Sequence, residues 1–329
     1  MIWRCMVMVN FLFTSIGRRV ELIKCFCRWA REQGYSKIVS ADISSLAPAA
    51  YFSDENFLIP RYNDNQYISS LLEICKSEEI KGLIPLLEPE FPILAAHREL
   101  FASIGTTLIL SSDKVLETCR DKYLTYQFFC AENIPSPGTY LSNEAGLLEC
   151  RFPLFIKPRS GMGSANTFRV NNKKELDFFL QYVPNPVIQE FIEGIEYTMD
   201  VINDLTGKTI AVVPRERVEV RAGEVSKSRT VKDIELINLT VEVAEKLGGF
   251  GPLTIQAFKK PDGEIVFTEI NPRFGGGVPL AIKAGVNYPQ LLAKIVRGEK
   301  LTRVTEFKDN LYMLRYDDAL FISVSGACE

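Results

Sequence analysis

The chain has 329 residues, 47% of them apolar and 24% charged, an ordinary globular composition on a length that exceeds one compact core, so two or three domains are expected. A formal net charge of −3 gives no general attraction to nucleic acid, so any phosphate binding must come from local groups. A single histidine, His97, excludes a multi-histidine metal site, and eight cysteines at 5, 25, 27, 75, 119, 130, 150 and 328, with no CxxC pair, read as reduced thiols of a cytoplasmic protein.

The opening "MIWRCMVMVNFLF" is apolar, but it is too short to span a bilayer, contains Arg4 and precedes no small-residue cleavage site. Residues 7–13 are therefore expected as a first buried strand and no membrane association is implied. "GRRVELIKCFCRWAREQG" has helical spacing and Gly34 as its C-cap. "KIVSAD" reads as a strand, "QYISSLLEICKSEE" as a helix, "KGLIPLL" as a strand, "FPILAAHRELFASIG" as one helix and "TTLIL" as a strand. This β–α–β–α rhythm argues for a parallel sheet with helices on both faces, a Rossmann-like α/β layout. Ligands in such sheets bind beyond the carboxyl ends of the strands, where "TSIGRR" (14–19), Asp42 and "EPE" (88–90) fall. With one glycine, "SIGRR" is a weak dinucleotide signature. Arg18 and Arg19 at a helix N-terminus could hold an anion or simply be solvated. Glu88 and Glu90 could bind a substrate amine or cap the helix that follows.

From residue 113 the pattern changes to an α+β layout. "SSDKVLETCRDKYLTYQFFCAENIPSP" is helical and "FPLFIKP" is a strand ending at Lys157. A charge that closes an apolar strand calls for a ligand or a carboxylate, because a lone buried ammonium is costly. "RSGMGS" follows as a small-residue loop whose backbone N–H groups could reach phosphate oxygens. After helix "KKELDFFLQYV" and strand "VIQEFI", Glu190–Glu193 form a hinge between strands, suited to reading an adenine edge. Strands fill 195–220 with "DLTGK" as a hairpin turn. The basic stretch "PRERVEVRAGEVSKSRT" holds Arg215, Arg217, Arg221, Lys227 and Arg229, for most of which a solvated hairpin is the expectation. A helix over 232–247 ends at Gly248–Gly249, "TIQAFKK–PDG–EIVFTEI" is a second hairpin, and two helices and a late strand "LYMLRY" complete the chain.

"IVFTEINPRFGGG" (265–277) carries the most chemistry. Period-two alternation puts Glu269, Asn271 and Arg273 on one face near a strand end. Glu and Asn are hard oxygen donors of the kind Mg²⁺ prefers, and the Arg fork suits phosphate. Taken alone, the triplet reads equally well as a polar rim before a flexible turn. Gln256, on the hairpin partner, should lie beside Glu269 and Asn271.

The series "DKYLTYQFF", "FIKPRSGMGS", "QEFIEGIEYTMDV", "PRERVEVRAGEVSKSRTVK", "TIQAF" and "FTEINPRFGGGVPLAIKAGVNYP", in this order over roughly 120–290, resembles the ATP-grasp superfamily, and within it carbamoyl-phosphate-synthase-like stand-alone carboxylate–amine ligases. The resemblance implies a pre-ATP-grasp domain at 1–112, a lid subdomain with its leading helix at 113–192 and a catalytic subdomain at 193–329. It implies that Lys122 and Lys157 contact ATP phosphates, that Ser160, Gly161, Met162 and Gly163 form the flap, that Glu190, Phe191 and Ile192 line the adenine site and that Glu196 binds ribose. It makes Glu269, Gln256 and Asn271 ligands of two Mg²⁺ ions, with Mn²⁺ as a substitute, and gives Arg273, Arg215 and Lys157 catalytic roles on the transferring phosphate and acyl phosphate. Many relatives are acidic where this chain has Gln256. The implied reaction joins a small carboxylate to an amine with release of ADP and phosphate, with a homodimer as a compatible assembly. The alternatives are a subunit of a split carbamoyl-phosphate synthase and a non-catalytic ATP-binding module. A biotin-dependent carboxylase lacks a carrier-lysine segment, and "RYDD" near the C-terminus has no assigned role.

Overall fold

The computed structural model describes residues 8–34, 36–144, 150–161, 163, 165–221 and 223–323, so Met162 of the expected flap lies outside the described residues. Strands β1 (Asn10–Thr14), β2 (Ile38–Asp42), β3 (Glu55–Leu58), β4 (Ile80–Pro85) and β5 (Thr107–Leu108) form a parallel sheet in the order β3-β2-β1-β4-β5. Four helices flank it: α1 (Val20–Gln33), α2 (Tyr67–Ser77), α3 (Phe91–Ala96) and α4 (Arg98–Ser103). Helix α1 ends at Gly34 in the left-handed conformation, as its sequence requires. The expected single helix over 91–105 is broken at His97, whose Nδ1 turns back to Ile93 O at 2.8 Å. Strand β3 was not anticipated: it is a mostly exposed edge strand without an apolar face.

The strand order reverses between β1 and β4, and Glu90 closes that point. Its fully buried carboxylate accepts from Thr14 Oγ1 (2.8 Å), Ser15 Oγ (3.0 Å) and Tyr67 OH (2.6 Å). It also accepts from Leu86 and Leu87 N–H at 3.2 Å, immediately before α3. Glu90 is thus an internal brace with a capping component, not a group open to a substrate.

The second sheet is antiparallel, β6 (Thr139–Leu141), β7 (Leu154–Pro158), β8 (Phe168–Val170) and β9 (Pro186–Glu190), ordered β6-β9-β7-β8 and backed by α7 (Lys173–Tyr182). The third comprises β10 (Ile195–Asn203), β11 (Thr209–Arg221), β12 (Glu224–Thr230), β13 (Gly251–Lys259), β14 (Ile265–Asn271) and β15 (Tyr312–Leu314), ordered β14-β13-β10-β11-β12-β15. Helix α8 (Ile234–Leu247) packs on it. So do the leading helices α5 (Asp113–Arg120) and α6 (Lys122–Ala131), which bury Val115, Cys119 and Phe129 against the third sheet's core rather than the second's. Among the described residues no helix is long and apolar enough to cross a membrane.

The parallel-sheet domain and the third sheet share one core. Helices α9 (Val278–Lys283) and α10 (Tyr288–Val296) pack against α1, and Phe274 lies between Phe26 (6.0 Å) and Tyr288 (6.2 Å). Trp29 Nε1 donates to Gln290 Oε1 at 3.0 Å, and Tyr288 OH to Asp200 O at 2.8 Å.

Arg215 departs from its expected role. It is 1% exposed and its fork is closed on Asp200, with Nε to Oδ2 at 2.5 Å and Nη2 to Oδ1 at 3.0 Å. Gly277 lies on the same guanidinium, where an added Cβ would stand 2.1 Å from Nη1. Two of its three nitrogens are spent on Asp200 and no exposed edge remains, so it braces the sheet instead of meeting an acyl phosphate. A buried pair is costly to break from one side. Asp200→Ala is expected to destabilise by about 3–5 kcal/mol. The double change Asp200→Leu with Arg215→Met should recover much of that loss, and denaturant midpoints measure both.

Candidate active site

The site forms where the second and third sheets face each other at the edge of the parallel-sheet domain. The hairpin register brings Gln256 directly opposite Glu269, and Thr254 opposite Asn271, as the sequence requires. A bulge follows Gln256, leaving Thr268 unpaired on β14 beside the site. The alternation over 269–273 also holds. Asn271 Nδ2 lies 3.3 Å from Glu269 Oε1, and Arg273 Nη2 lies 3.4 Å from Asn271 Oδ1. The row continues across the sheet through Thr198 on β10 to Arg215 on β11. Thr198 Oγ1 is buried without a hydrogen-bond partner among the described residues. A buried hydroxyl in that state is costly unless water or a ligand meets it.

Lys157 closes β7 on the opposite sheet and is 8% exposed. Burial pulls its ammonium down to about 8; Glu269 opposes that shift and Lys122 reinforces it. Only charge at a distance and the Phe155 ring, 5.8 Å away, compensate it. Lys122 stands at the start of α6 and its Nζ reaches Gly161 O at 3.1 Å. The root of that loop is tied down by Asp121, which caps α6 through Tyr123 N–H (2.9 Å) and accepts Arg159 Nε (2.7 Å). Ser160, Gly161 and Gly163 are exposed, and the Gly163 carbonyl rests on the β11–β12 hairpin, where a Cβ on Gly223 would come within 2.4 Å of it.

Glu190 ends β9, and Phe191 and Ile192 follow it in the link to β10, between the second and third sheets. The Glu190 carboxylate is held by Gly138 N–H at 2.9 Å, and Arg169 stacks over Phe191 at 4.4 Å. Glu196 on β10 has a partner the sequence reading did not name: Arg217 Nε lies 3.1 Å from Oε1. That N–H is not aligned for a hydrogen bond, so the pair is ionic and can open. Burial raises the Glu196 carboxyl; Arg217 works against this and Glu269 with it. The signal for Arg217 was present in its position two residues after Arg215, on the same face of β11. Glu88 is the other unassigned partner: Arg273 Nε (2.9 Å) and Nη2 (2.8 Å) both reach its Oε1, so its carboxylate is paired with Arg273 and does not cap α3.

Among the described residues no three His, Cys, Asp or Glu side chains stand close enough to hold a metal. The candidate set has instead one carboxylate, Glu269, and two amides, Gln256 and Asn271. Such a set fits a hard divalent cation that takes much of its neutralising charge from a phosphate-bearing ligand.

Residues 11–109 match the PylC-like N-terminal domain family and residues 119–277 match the ATP-grasp domain family. The chain is 27% identical over 316 residues to the carbamoyl phosphate synthase large chain of Gemmatimonas aurantiaca, covering 88% of this chain but only 28% of that one. It superposes on a biotin carboxylase–β,γ-ATP complex from Campylobacter jejuni with a TM-score of 0.74 at 16% identity, covering 93% of this chain and 75% of that one. It also superposes on an L-amino acid ligase from Bacillus licheniformis (TM-score 0.66, 18% identity, 88% and 74% covered). At these identities the superpositions speak for the fold: an ATP-grasp domain of facing antiparallel sheets preceded by a parallel-sheet domain. The chain carries an ATP-grasp domain over residues 119–277.

Proposed function

We propose that this chain is an ATP-dependent ligase that joins a carboxylate to an amine through an acyl phosphate, releasing ADP and phosphate. One observation carries the reading. A buried, incompletely compensated ammonium, Lys157, faces a row of oxygen donors, Glu269, Gln256 and Asn271, with Arg273 at its end. Only a strongly anionic group with associated cations satisfies both sides, and a nucleoside triphosphate with Mg²⁺ is such a group.

Lys122 and Lys157 would neutralise phosphate oxygens, and the loop with Ser160, Gly161 and Gly163 would cover them. Glu190, Phe191 and Ile192 would line the adenine site and Glu196 the ribose. Mg²⁺, held by Glu269, Asn271 and Gln256, would supply Lewis-acid polarisation of the phosphoryl oxygens. Arg273, held in orientation by Glu88 and Asn271, would stabilise charge on the transferring group. A substrate carboxylate oxygen bonds to the γ-phosphorus as the β,γ-bridging bond breaks, and ADP leaves with the electron pair. Both reactants are anions, so alignment and cations are what this step requires of the protein. The amine nitrogen then attacks the acyl carbon, the C–N bond forms, phosphate departs and the nitrogen loses a proton. Coverage by the loop limits hydrolysis of the acyl phosphate.

A second reading is favoured by the extended match to part of a much longer synthase: one ATP-grasp half that acts with another polypeptide. Amide product formed by this chain alone separates the two.

Glu269→Gln is expected to lower ADP release at least about a hundredfold with the unfolding midpoint retained, the scale lost when a metal site is disturbed. Unchanged turnover in a coupled ADP assay would count heavily against the metal assignment. Lys157 adds a pH signature. Its ammonium titrates at about 8 in the free protein, and a bound phosphate raises that value. Nucleotide affinity should therefore be constant below this pH and weaken as pH rises through the bound-state value. At pH 8, Mg-ATP binding should take up about half a proton. Calorimetry in buffers of different ionisation enthalpy measures this uptake, which Lys157→Met should remove.

A further inference from the structure

The loop after Arg273 does not leave the sheet; it crosses the ends of its strands. A Cβ at Gly275 would stand 2.9 Å from Thr254 Oγ1 on β13, and one at Gly277 would meet Arg215 of β11. At Gly276 it would lie 3.1 Å from Arg19 Nη1 and 3.7 Å from Arg315 Nη2. In the strand order β14-β13-β10-β11-β12-β15 this is a traverse away from the metal donors on β13 and β14 toward the opposite edge. Arg315 follows β15 and comes from the "RYDD" segment. It donates to Gly276 O at 2.8 Å and to Glu224 Oε2 at 2.9 Å.

The guanidinium of Arg19, at the turn between β1 and α1, has no hydrogen bond or ion pair among the described residues. Burial and the neighbouring Arg273, then Arg315, pull its guanidinium down to about 10 against the attraction of Glu224 and Glu88. Burial would raise Glu224, but the hydrogen bond from Arg315 and the charges of Arg19 and Arg18 hold it below the usual carboxylate range. Four guanidiniums therefore share two carboxylates, and each carboxylate already has its own arginine: Glu224 has Arg315 and Glu88 has Arg273. A guanidinium crowded by like charge and left without an acceptor lacks an anion. It stands at the N-terminus of a 14-residue helix, beyond the carboxyl ends of a parallel sheet, which favours negative charge there.

We infer that Arg19, with Arg315 and Arg18 beside it, binds an oxyanion of the acid substrate separate both from the nucleotide and from the carboxylate that is activated. The inference rests on the ligase reading and narrows it: the acid substrate carries at least two negative groups, the second a carboxylate or a phosphate. The activated carboxylate belongs beside Arg273 and the metal donors. The Arg19 guanidinium meets that loop at Gly276, three residues beyond Arg273 and on the side away from the metal donors.

The test is calorimetric titration of the full chain, with and without Mg-ADP, using acetate, succinate and phosphoglycolate as probes. Succinate or phosphoglycolate should bind and acetate should not compete, and the tighter of the two tells whether the second group is a carboxylate or a phosphate. Arg19→Gln should weaken that probe about ten- to hundredfold, the worth of a charged hydrogen bond, with Mg-ADP affinity unchanged. Arg19→Lys should keep part of the binding, and Arg315→Gln gives an independent loss should Arg19→Gln fold poorly. Acetate binding as tightly as the dianions, no dianion binding at all, or dianion binding indifferent to both arginines overturns the inference. A wild-type chain that binds the dianion but no Mg-ADP overturns the ligase reading and leaves the oxyanion site standing.

Discussion

The site depends on one anchoring contact, the burial of Phe274 between Phe26 and Tyr288. The ring follows directly after Arg273 and lies in the core shared by the parallel-sheet domain and the third sheet. Strand β14 is thereby pinned at the very residue where its polar face meets the other domain. Arg273 can then reach Glu88 across that boundary while keeping contact with Asn271. Aromatic burial supplies much more free energy than any of these polar contacts, so the apolar anchor sets the geometry and the charged groups accept it.

Charge is distributed around this anchor in two ways. Some groups are closed on each other: Arg215 on Asp200, and Glu90 on the ends of β1 and β4. These hold strands in place and have no capacity left for a ligand. Others are left incomplete: Lys157 with only distant carboxylates, the misaligned Glu196–Arg217 pair and the orphaned hydroxyl of Thr198. Arg19 belongs with the second set. The distinction separates structural charge from charge held ready for an anion, and composition alone makes no such division.

Much of the architecture was readable in the chain. Period-two and 3.6-residue apolar patterns marked most strands and helices, and Gly34 and Gly248 ended α1 and α8 where helix chemistry demands a left-handed residue. Strand β3 escaped because an exposed edge has no apolar face to announce it, and the break at His97 escaped because no proline or glycine marks it. In the site, Glu269, Asn271 and Arg273 could be placed on one face from spacing alone, and the β13–β14 turn then fixed Gln256 opposite Glu269.

The sequence by itself determined which residues share a strand face and which loop is built of small residues, because those properties follow from local backbone period and side-chain size. Only the tertiary structure decided which charges are spent and which are free. Arg215 and Arg19 both read as arginines that could meet an anion or water, yet one is sealed by Asp200, 15 residues away, and the other is surrounded by Arg273 and Arg315 from the far half of the chain. Electrostatic environment is set by partners brought together through packing, and the local pattern that forms a strand does not carry that information.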